Sequence, residues 1–278
     1  MKKKILLLFL LLFANVGFSQ SNVSGKFYSD ETVLKVEYAE LSTFLPGLVN
    51  ENIGNLYVVD DFLFYKTIFN DKKFDANEIS IRDENSIVIK NNSSKKLYEL
   101  YLDRNKNEIK EYIYEEFAFN ENFEISELTP KMEWEFLNDE MQIGDYNCLK
   151  ARTTFRGRTY EVWYTEEIPV PYGPWKLNGL PGLILVANDL DSIYEWRVKS
   201  VTKLEKIDID IHKILNEKKS FKKLTYRQFD AEVVKKRIEN YEVELLRTND
   251  DNLEFSFDTM HYREPSNEFR SQTHFIIN

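Results

Sequence analysis

The chain has 278 residues, of which 30% are charged and 14% are aromatic, and its formal net charge is −10. This length suits one domain or two, and the aromatic residues are numerous enough for a large core. The acidic excess argues against binding to nucleic acid, whose phosphates require lysine and arginine, and against adsorption to anionic lipid.

The first nineteen residues have the pattern of a secretory signal peptide. Three lysines precede the apolar run Ile5–Phe13, and Gly17 and Ser19 are small residues of the kind found before a cleavage site. Nine apolar residues are too few to cross a bilayer, which needs about 20. We predict export to the periplasm, the cell envelope or the medium, with cleavage after Ser19 and no transmembrane span in the mature chain. Loss of the three lysines changes the net charge to about −13.

Residues 20–205 are predicted to form an antiparallel β domain, because short apolar runs alternate with turn residues. Asp60–Asp61 and Asp83–Asn85 interrupt two pairs of runs and indicate hairpins. The strands expected before residue 130 cover residues 33–38, 56–59, 62–65, 79–81, 87–89, 97–102 and 109–119.

The pattern becomes clearer after Pro130. Met132–Phe136 alternates, and Arg156–Arg158 is a tight connection between two strands. Three prolines then bar regular sheet until Leu183. The strands expected here are Tyr146–Phe155, Thr159–Thr165, Leu183–Ala187 and Ile193–Leu204.

Residues 206–278 are predicted to be a helical and polar region that packs on the sheet. Thr225 and Gln228 have the spacing of a capping box at the start of a helix. Tyr226 and Phe229 begin an apolar stripe along it. The tail from Asn249 onward is mostly polar, and we expect it to be partly disordered.

Turn residues are concentrated in the segment Tyr172–Leu185. Glycine permits positive φ and proline fixes φ, so five residues are predicted to shape this loop: Gly173, Pro174, Gly179, Pro181 and Gly182. Two roles stay open for it. The loop can plug one end of a curved sheet, with Trp175 in the core. Alternatively it can rim a groove for an apolar or peptide ligand, lined by Trp163, Tyr164, Trp175, Leu180 and Pro181, with Arg156, Arg158 and Lys176 holding its anionic end.

The common catalytic and metal-binding patterns are not found in the sequence. His212, His261 and His274 have no neighbours at metal-ligand spacing. The single cysteine, Cys148, cannot form an internal disulfide. We therefore expect no catalytic residue, no metal and no cofactor. The one catalytic alternative is a hydrolase that uses carboxylates near both ends of the loop, around Glu166 and Asp189.

The hexapeptide Gly179–Ile184 is identified as the signature of the GLPGLI family, a group of exported Bacteroidetes proteins with no assigned activity. The segments Gly144–Ala151, Trp163–Thr165 and Gly173–Lys176 resemble further motifs of that family. The resemblance implies an exported protein of unknown function. The expected fold is a mainly β (β-rich α+β) protein, with a curved antiparallel sheet or half-barrel and a C-terminal helix, similar to periplasmic lipoprotein carriers.

From these expectations we predict a non-enzymatic binding protein of the periplasm or cell envelope, with a hydrophobic molecule, a lipid or an extended peptide as its ligand. The alternative is a protein–protein adaptor of an outer-membrane or secretion assembly, which would use an exposed sheet edge for strand addition.

Overall fold

The computed structural model describes residues 26–28, 33–45, 48–59, 61–69, 79–83, 86–90, 95–114, 121–204, 208–210, 218–232 and 235. These residues contain sixteen strands and one short helix over residues 226–232. The strands are β1 (Lys26–Tyr28), β2 (Val33–Leu45), β3 (Leu48–Val59), β4 (Phe62–Phe69), β5 (Ile79–Asp83), β6 (Ser86–Lys90), β7 (Lys95–Asp103), β8 (Glu108–Ile113), β9 (Phe123–Leu128), β10 (Trp134–Ile143), β11 (Tyr146–Phe155), β12 (Arg158–Thr165), β13 (Leu183–Asp189), β14 (Tyr194–Leu204), β15 (Asp208–Asp210) and β16 (Lys222–Thr225).

Twelve of these strands follow one another across an open, curved sheet in the order β10-β11-β12-β13-β14-β2-β3-β4-β7-β8-β9-β16. The β5–β6 hairpin joins this sheet through β3, and β1 pairs separately with β15. The predicted mainly β fold, with its curved antiparallel sheet and C-terminal helix, is confirmed.

Two pairs of strands are parallel, which the sequence did not predict. Strand β16 runs parallel to β9, and β6 runs parallel to β3. Hairpins can be recognised from the turn between two runs, whereas these pairs join strands that are distant in sequence. The pairing of β16 attaches part of the C-terminal region to the sheet. The division between residues 20–205 and 206–278 stays a prediction, and the tail after Asn249 lies outside the described residues.

The hairpin that joins β11 to β12 shows how closely local sequence fixes local structure. Its two turn residues, Arg156 and Gly157, have φ values of 46° and 85°. Positive φ at both central positions matches the right-handed twist of the flanking strands. The antiparallel register of β11 and β12 is regular, from Phe155 opposite Arg158 to Leu149 opposite Tyr164.

The core lies mainly on one face of the sheet. Alternate residues of the central strands point to that face, including Tyr38, Leu56, Tyr65 and Val162, all of which are fully buried. The loop over residues 172–182 covers the part of the core near β12 to β14, and its Trp175 contacts the Trp196 ring. We call this the loop face and the other side the opposite face.

The helix begins at the predicted capping box. The Thr225 backbone N–H donates to Gln228 Oε1 at 2.9 Å, and the Gln228 backbone N–H donates to Thr225 Oγ1 at 3.3 Å. Phe229 then packs on Phe123 of β9 with ring centroids 5.3 Å apart. This reciprocal cap satisfies N–H groups that have no partner within the helix.

Gly182 stands where the loop returns to the sheet, directly against the end of β12. A Cβ atom added to Gly182 would lie 1.9 Å from the carbonyl oxygen of Thr165. By contrast, a Cβ on Gly144, in the β10–β11 turn, would meet nothing within 4 Å. Gly144 has φ of +59°, so its own replacement would incur only backbone strain.

We predict that Gly182→Ala lowers the free energy of unfolding by about 3 kcal/mol, because backbone atoms must move to admit the new methyl group. The matched change Gly144→Ala should cost about 1 kcal/mol, the penalty for a left-handed alanine. Urea unfolding of both variants measures the difference. Equal costs would contradict the close approach of the loop to β12.

Candidate functional site

The loop over residues 172–182 is closed by its own backbone hydrogen bonds. The Gly173 N–H donates to the Leu177 carbonyl at 2.9 Å, and the Gly179 N–H donates to the Pro171 carbonyl at 2.9 Å. Gly179 has φ of 94°, a conformation that glycine adopts without strain. A Cβ on Gly173 would lie 2.7 Å from the Cβ of Ile184, so this position is also tightly packed.

Trp175 lies at the tip of the loop and is packed into the core. It is 2% exposed, and its ring stacks on Trp196 at a centroid distance of 6.2 Å. Phe155 and Tyr160 contact it at 5.8 and 5.9 Å. This is the placement expected of a plug, and it leaves the Trp175 ring no open surface for a ligand.

Lys176 is a buried cation held by two carboxylates of the sheet. Its Nζ lies 2.6 Å from Glu127 Oε1 and also pairs with Glu111. The Tyr98 hydroxyl donates to the other oxygen of Glu111 at 2.6 Å. Arg156 pairs with Glu127 as well, so a single network joins the loop, β8, β9 and the β11–β12 turn.

The electrostatics of Glu127 follow from this network. Burial alone raises its pKa, but Lys176 and Arg156 together outweigh burial, and the pKa lies below the ordinary value of 4.5. Tyr226, at the start of the helix, places its ring 3.6 Å from the Arg156 guanidinium carbon. The helix is therefore tied to the same network through a cation–π contact.

Arg158 and Asp189 form a second buried ion pair, 2.7 Å apart. The backbone N–H groups of Ile193 and Tyr194 both donate to Asp189 Oδ1 at 2.8 Å. Burial raises the pKa of Asp189, and these donors and Arg158 oppose the increase. Such saturation is typical of a structural carboxylate that fixes the β13–β14 turn.

The predicted hydrolase pair is not brought together. Asp189 pairs across the β12–β13 hairpin with Tyr160, at the opposite end of β12 from Thr165 and Glu166. Tyr160 and Thr165 are five positions apart along β12, a distance of about 16 Å. Glu166 and Asp189 therefore cannot act on one bond.

The structure separates the residues predicted to bind a ligand. Trp163 is half-buried on the opposite face, where Lys150 lies 5.6 Å from its ring. Arg156 is half-buried within the ion network, and Pro181 is exposed at the loop surface. The remaining predicted residues are buried on the loop face: Tyr164, Trp175, Lys176, Leu180 and Arg158. Their ligand-binding role stays a prediction, and these positions do not form one rim.

Sequence reasoning missed an aromatic surface on β10, the last strand of the sheet. Trp134 Nε1 donates to the Asn178 carbonyl of the loop at 2.9 Å, which fixes the indole beside the loop. Phe136 follows two residues later on the same face and is 62% exposed. Alternating aromatic residues indicated a strand here, but only the topology shows that β10 is an edge strand with its aromatic face uncovered.

The same strand contributes Glu140, Met141 and Gln142 to the lining of a groove of about 510 Å³. Phe136 contacts the Tyr164 ring at 6.4 Å, and Tyr164 is paired with the groove residue Leu149. The lining consists mainly of carboxylates, amides and sulfur-containing residues: Glu140, Met141, Gln142, Asn147, Cys148, Leu149, Glu166 and Glu167. We call Trp134, Phe136 and this groove the edge site. It offers an aromatic ring and hydrogen-bonding groups side by side.

Cys148 is the least accessible member of the edge site. The residue is 1% exposed, and burial raises the pKa of its thiol. Its sulfur lies 3.7 Å from the Tyr146 carbonyl. Among the residues that the structure describes, no group of three His, Cys, Asp or Glu side chains is arranged to hold a metal ion. The three histidines lie outside those residues.

The fold and the edge site together define a β-sheet domain with an exposed aromatic and carboxylate surface at one sheet edge. Residues 64–228 match the family model described as "N-glycanase peptide, N-terminal domain". This match covers more than half of the chain, and the chain belongs to that family. No curated protein matches it.

Two solved structures of PNGF-II, determined in the C2 and P21 space groups, are similar to the chain. Each has 19% sequence identity, with TM-scores of 0.48 and 0.47, and each alignment covers 74% of this chain. It covers 33% and 34% of the PNGF-II chains, so the present chain spans about a third of their length.

The family match corrects two of our expectations. The assignment to the GLPGLI family is wrong, because the matching model is that of the N-glycanase N-terminal domain. The same match overturns the function expected with it, a binding protein for a hydrophobic ligand, a lipid or an extended peptide, with an adaptor as the alternative. A short hexapeptide indicated a family that the match over residues 64–228 does not support.

Membership of this family is consistent with the predicted export of the protein. Within the described part of the chain, no helix has the length and apolar character needed to cross a membrane.

Replacement of Lys176 tests the buried ion network. We predict that Lys176→Met costs about 3–5 kcal/mol of unfolding free energy at pH 7, because two buried carboxylates lose their cation. Lys106→Met is the matched control. Lys106 is 72% exposed and pairs with Asp103 on the surface, and its loss should cost less than about 1 kcal/mol.

The charge assignment in this network also predicts how the stability difference between the wild type and Lys176→Met changes with pH. In the wild type the pKa of Glu127 is lowered, so its stabilising contribution is present above pH 4.5 and is lost as the pH falls further. In Lys176→Met the charged forms of the buried carboxylates are disfavoured, and protonation at low pH removes that charge. The loss of unfolding free energy relative to the wild type should therefore be largest at pH 7 and smaller at pH 4. Chemical unfolding at both pH values checks this. A deficit that grows toward pH 4 would contradict the assigned charges.

Proposed function

We propose that this chain is a glycan-recognition domain that binds the oligosaccharide of N-linked glycoproteins at the edge site. The observation that carries the proposal is the exposed Phe136 ring on the strand that also contributes to a groove lined by carboxylates and amides. Membership of a family named for an N-glycanase supplies the class of ligand.

The chemistry of the edge site suits a sugar better than an apolar molecule. A pyranose ring has an apolar C–H face, which packs on an aromatic ring, and an edge of hydroxyl groups. The Phe136 ring supplies an apolar face of this kind, because aromatic side chains offer a large contact area. Glu140 and Glu166 can accept hydrogen bonds from hydroxyl groups, and Gln142 and Asn147 can both donate and accept them.

The loop supports this surface from behind. Trp134 is oriented by the Asn178 carbonyl, and the loop that carries Asn178 is anchored by the buried Lys176. Rigid support reduces the entropy lost when a ligand is bound. The predicted export would bring the domain to the periplasm, the cell surface or the medium, where it can meet glycoproteins.

Phe136→Ala tests the proposal directly. We predict that this variant binds a free N-glycan at least about tenfold more weakly, the equivalent of 1.4 kcal/mol of lost stacking. The fold should change little, because the ring is 62% exposed. Isothermal titration calorimetry with a chemically released biantennary glycan measures the affinity.

Leu128→Ala is the matched control, because Leu128 is an exposed apolar side chain, 71% accessible, on β9 and belongs to neither the aromatic pair nor the groove of the edge site. Its affinity should equal that of the wild type. Equal affinity in Phe136→Ala, or no binding of any N-glycan by the wild type, would refute the proposal.

A further inference from the structure

The charge of the edge site indicates which N-glycans it can bind. This inference rests on the proposed function. Glu140, Glu166 and Glu167 line the groove and are exposed. The described lining residues include no lysine and no arginine. The groove therefore presents three carboxylates to solvent with no cation among the groups that face it.

The strand beside the groove adds to this negative potential. Glu133 and Asp139 are exposed on and next to β10. The nearby guanidinium of Arg152 lies on the opposite face, where Glu161 and Glu135 already pair with it. Arg152 is thus engaged by carboxylates and does not turn toward the groove.

We infer that the edge site selects uncharged oligosaccharides and discriminates against glycans that carry sialic acid or sulfate. A neutral sugar donates its hydroxyl hydrogens to the carboxylates. An anionic group placed in the same groove is repelled by three like charges. At ~7 Å in water, three such charges together change binding about tenfold.

The test uses two forms of one biantennary N-glycan, the disialylated form and its enzymatically desialylated product, titrated into the full-length exported protein. At about 20 mM salt we expect the neutral form to bind at least about tenfold more tightly. At about 500 mM salt the difference should narrow, because the Debye length falls from more than 20 Å to less than 5 Å.

The double variant Glu140→Gln, Glu166→Gln assigns the effect to the groove. At low salt this variant should bind the disialylated glycan more tightly than the wild type does, so that the difference in affinity between the two glycans becomes smaller. Glu121→Gln, on an exposed residue that contacts Lys222 outside the groove, is the matched charge change and should leave the difference intact.

The titrations distinguish a failure of charge selection from a failure of glycan recognition. Equal binding of both glycans, or tighter binding of the disialylated one, would overturn the charge selection and leave glycan recognition standing. An unchanged difference in the double variant would overturn the assignment to this groove. Binding of neither glycan would overturn both.

Discussion

The buried Lys176 ammonium is the interaction on which the organisation of this domain depends. An unpaired charge in an apolar interior is very unfavourable, so the lysine must keep its two carboxylates, Glu111 and Glu127. These residues lie on adjacent strands β8 and β9, whereas Lys176 belongs to a loop more than forty residues further along the chain. The pairing therefore fixes where the loop lies on the sheet, and Arg156 and Tyr226 extend the network to the β11–β12 turn and the helix.

The position of the loop in turn determines the surface at the edge of the sheet. Trp175 fills the core under the loop, and Asn178 presents its carbonyl to the Trp134 indole. Phe136, which faces solvent, follows Trp134 on the strand that contributes to the groove. The buried part of the loop stabilises the domain, whereas the surface that we propose for glycan recognition lies on its neighbour β10. The residues that looked most distinctive in the sequence are therefore not those left exposed.

Local features were predictable from the sequence, and long-range ones were not. The bounds of β11 and the Thr225 cap followed from turn residues and hydrogen-bonding side chains a few positions apart. Strand order depends on contacts between distant segments, so the parallel pairing of β16 with β9 and the exposure of β10 left no local signal. For the same reason Lys176 was predicted to hold the anionic end of a ligand, and its carboxylate partners, 65 and 49 residues away, were not predicted.

The most direct test of the account is a titration of the protein with a neutral N-glycan, followed by NMR of the indole N–H signals. The chain has four tryptophans, which report on different places: Trp134 at the edge site, Trp163 on the opposite face, and Trp175 and Trp196 in the core. We predict that the Trp134 indole signal shifts in a saturable manner while the indole signals of the other three tryptophans stay nearly unchanged. A shift confined to Trp163, or no shift at Trp134 when glycan is bound, would contradict it.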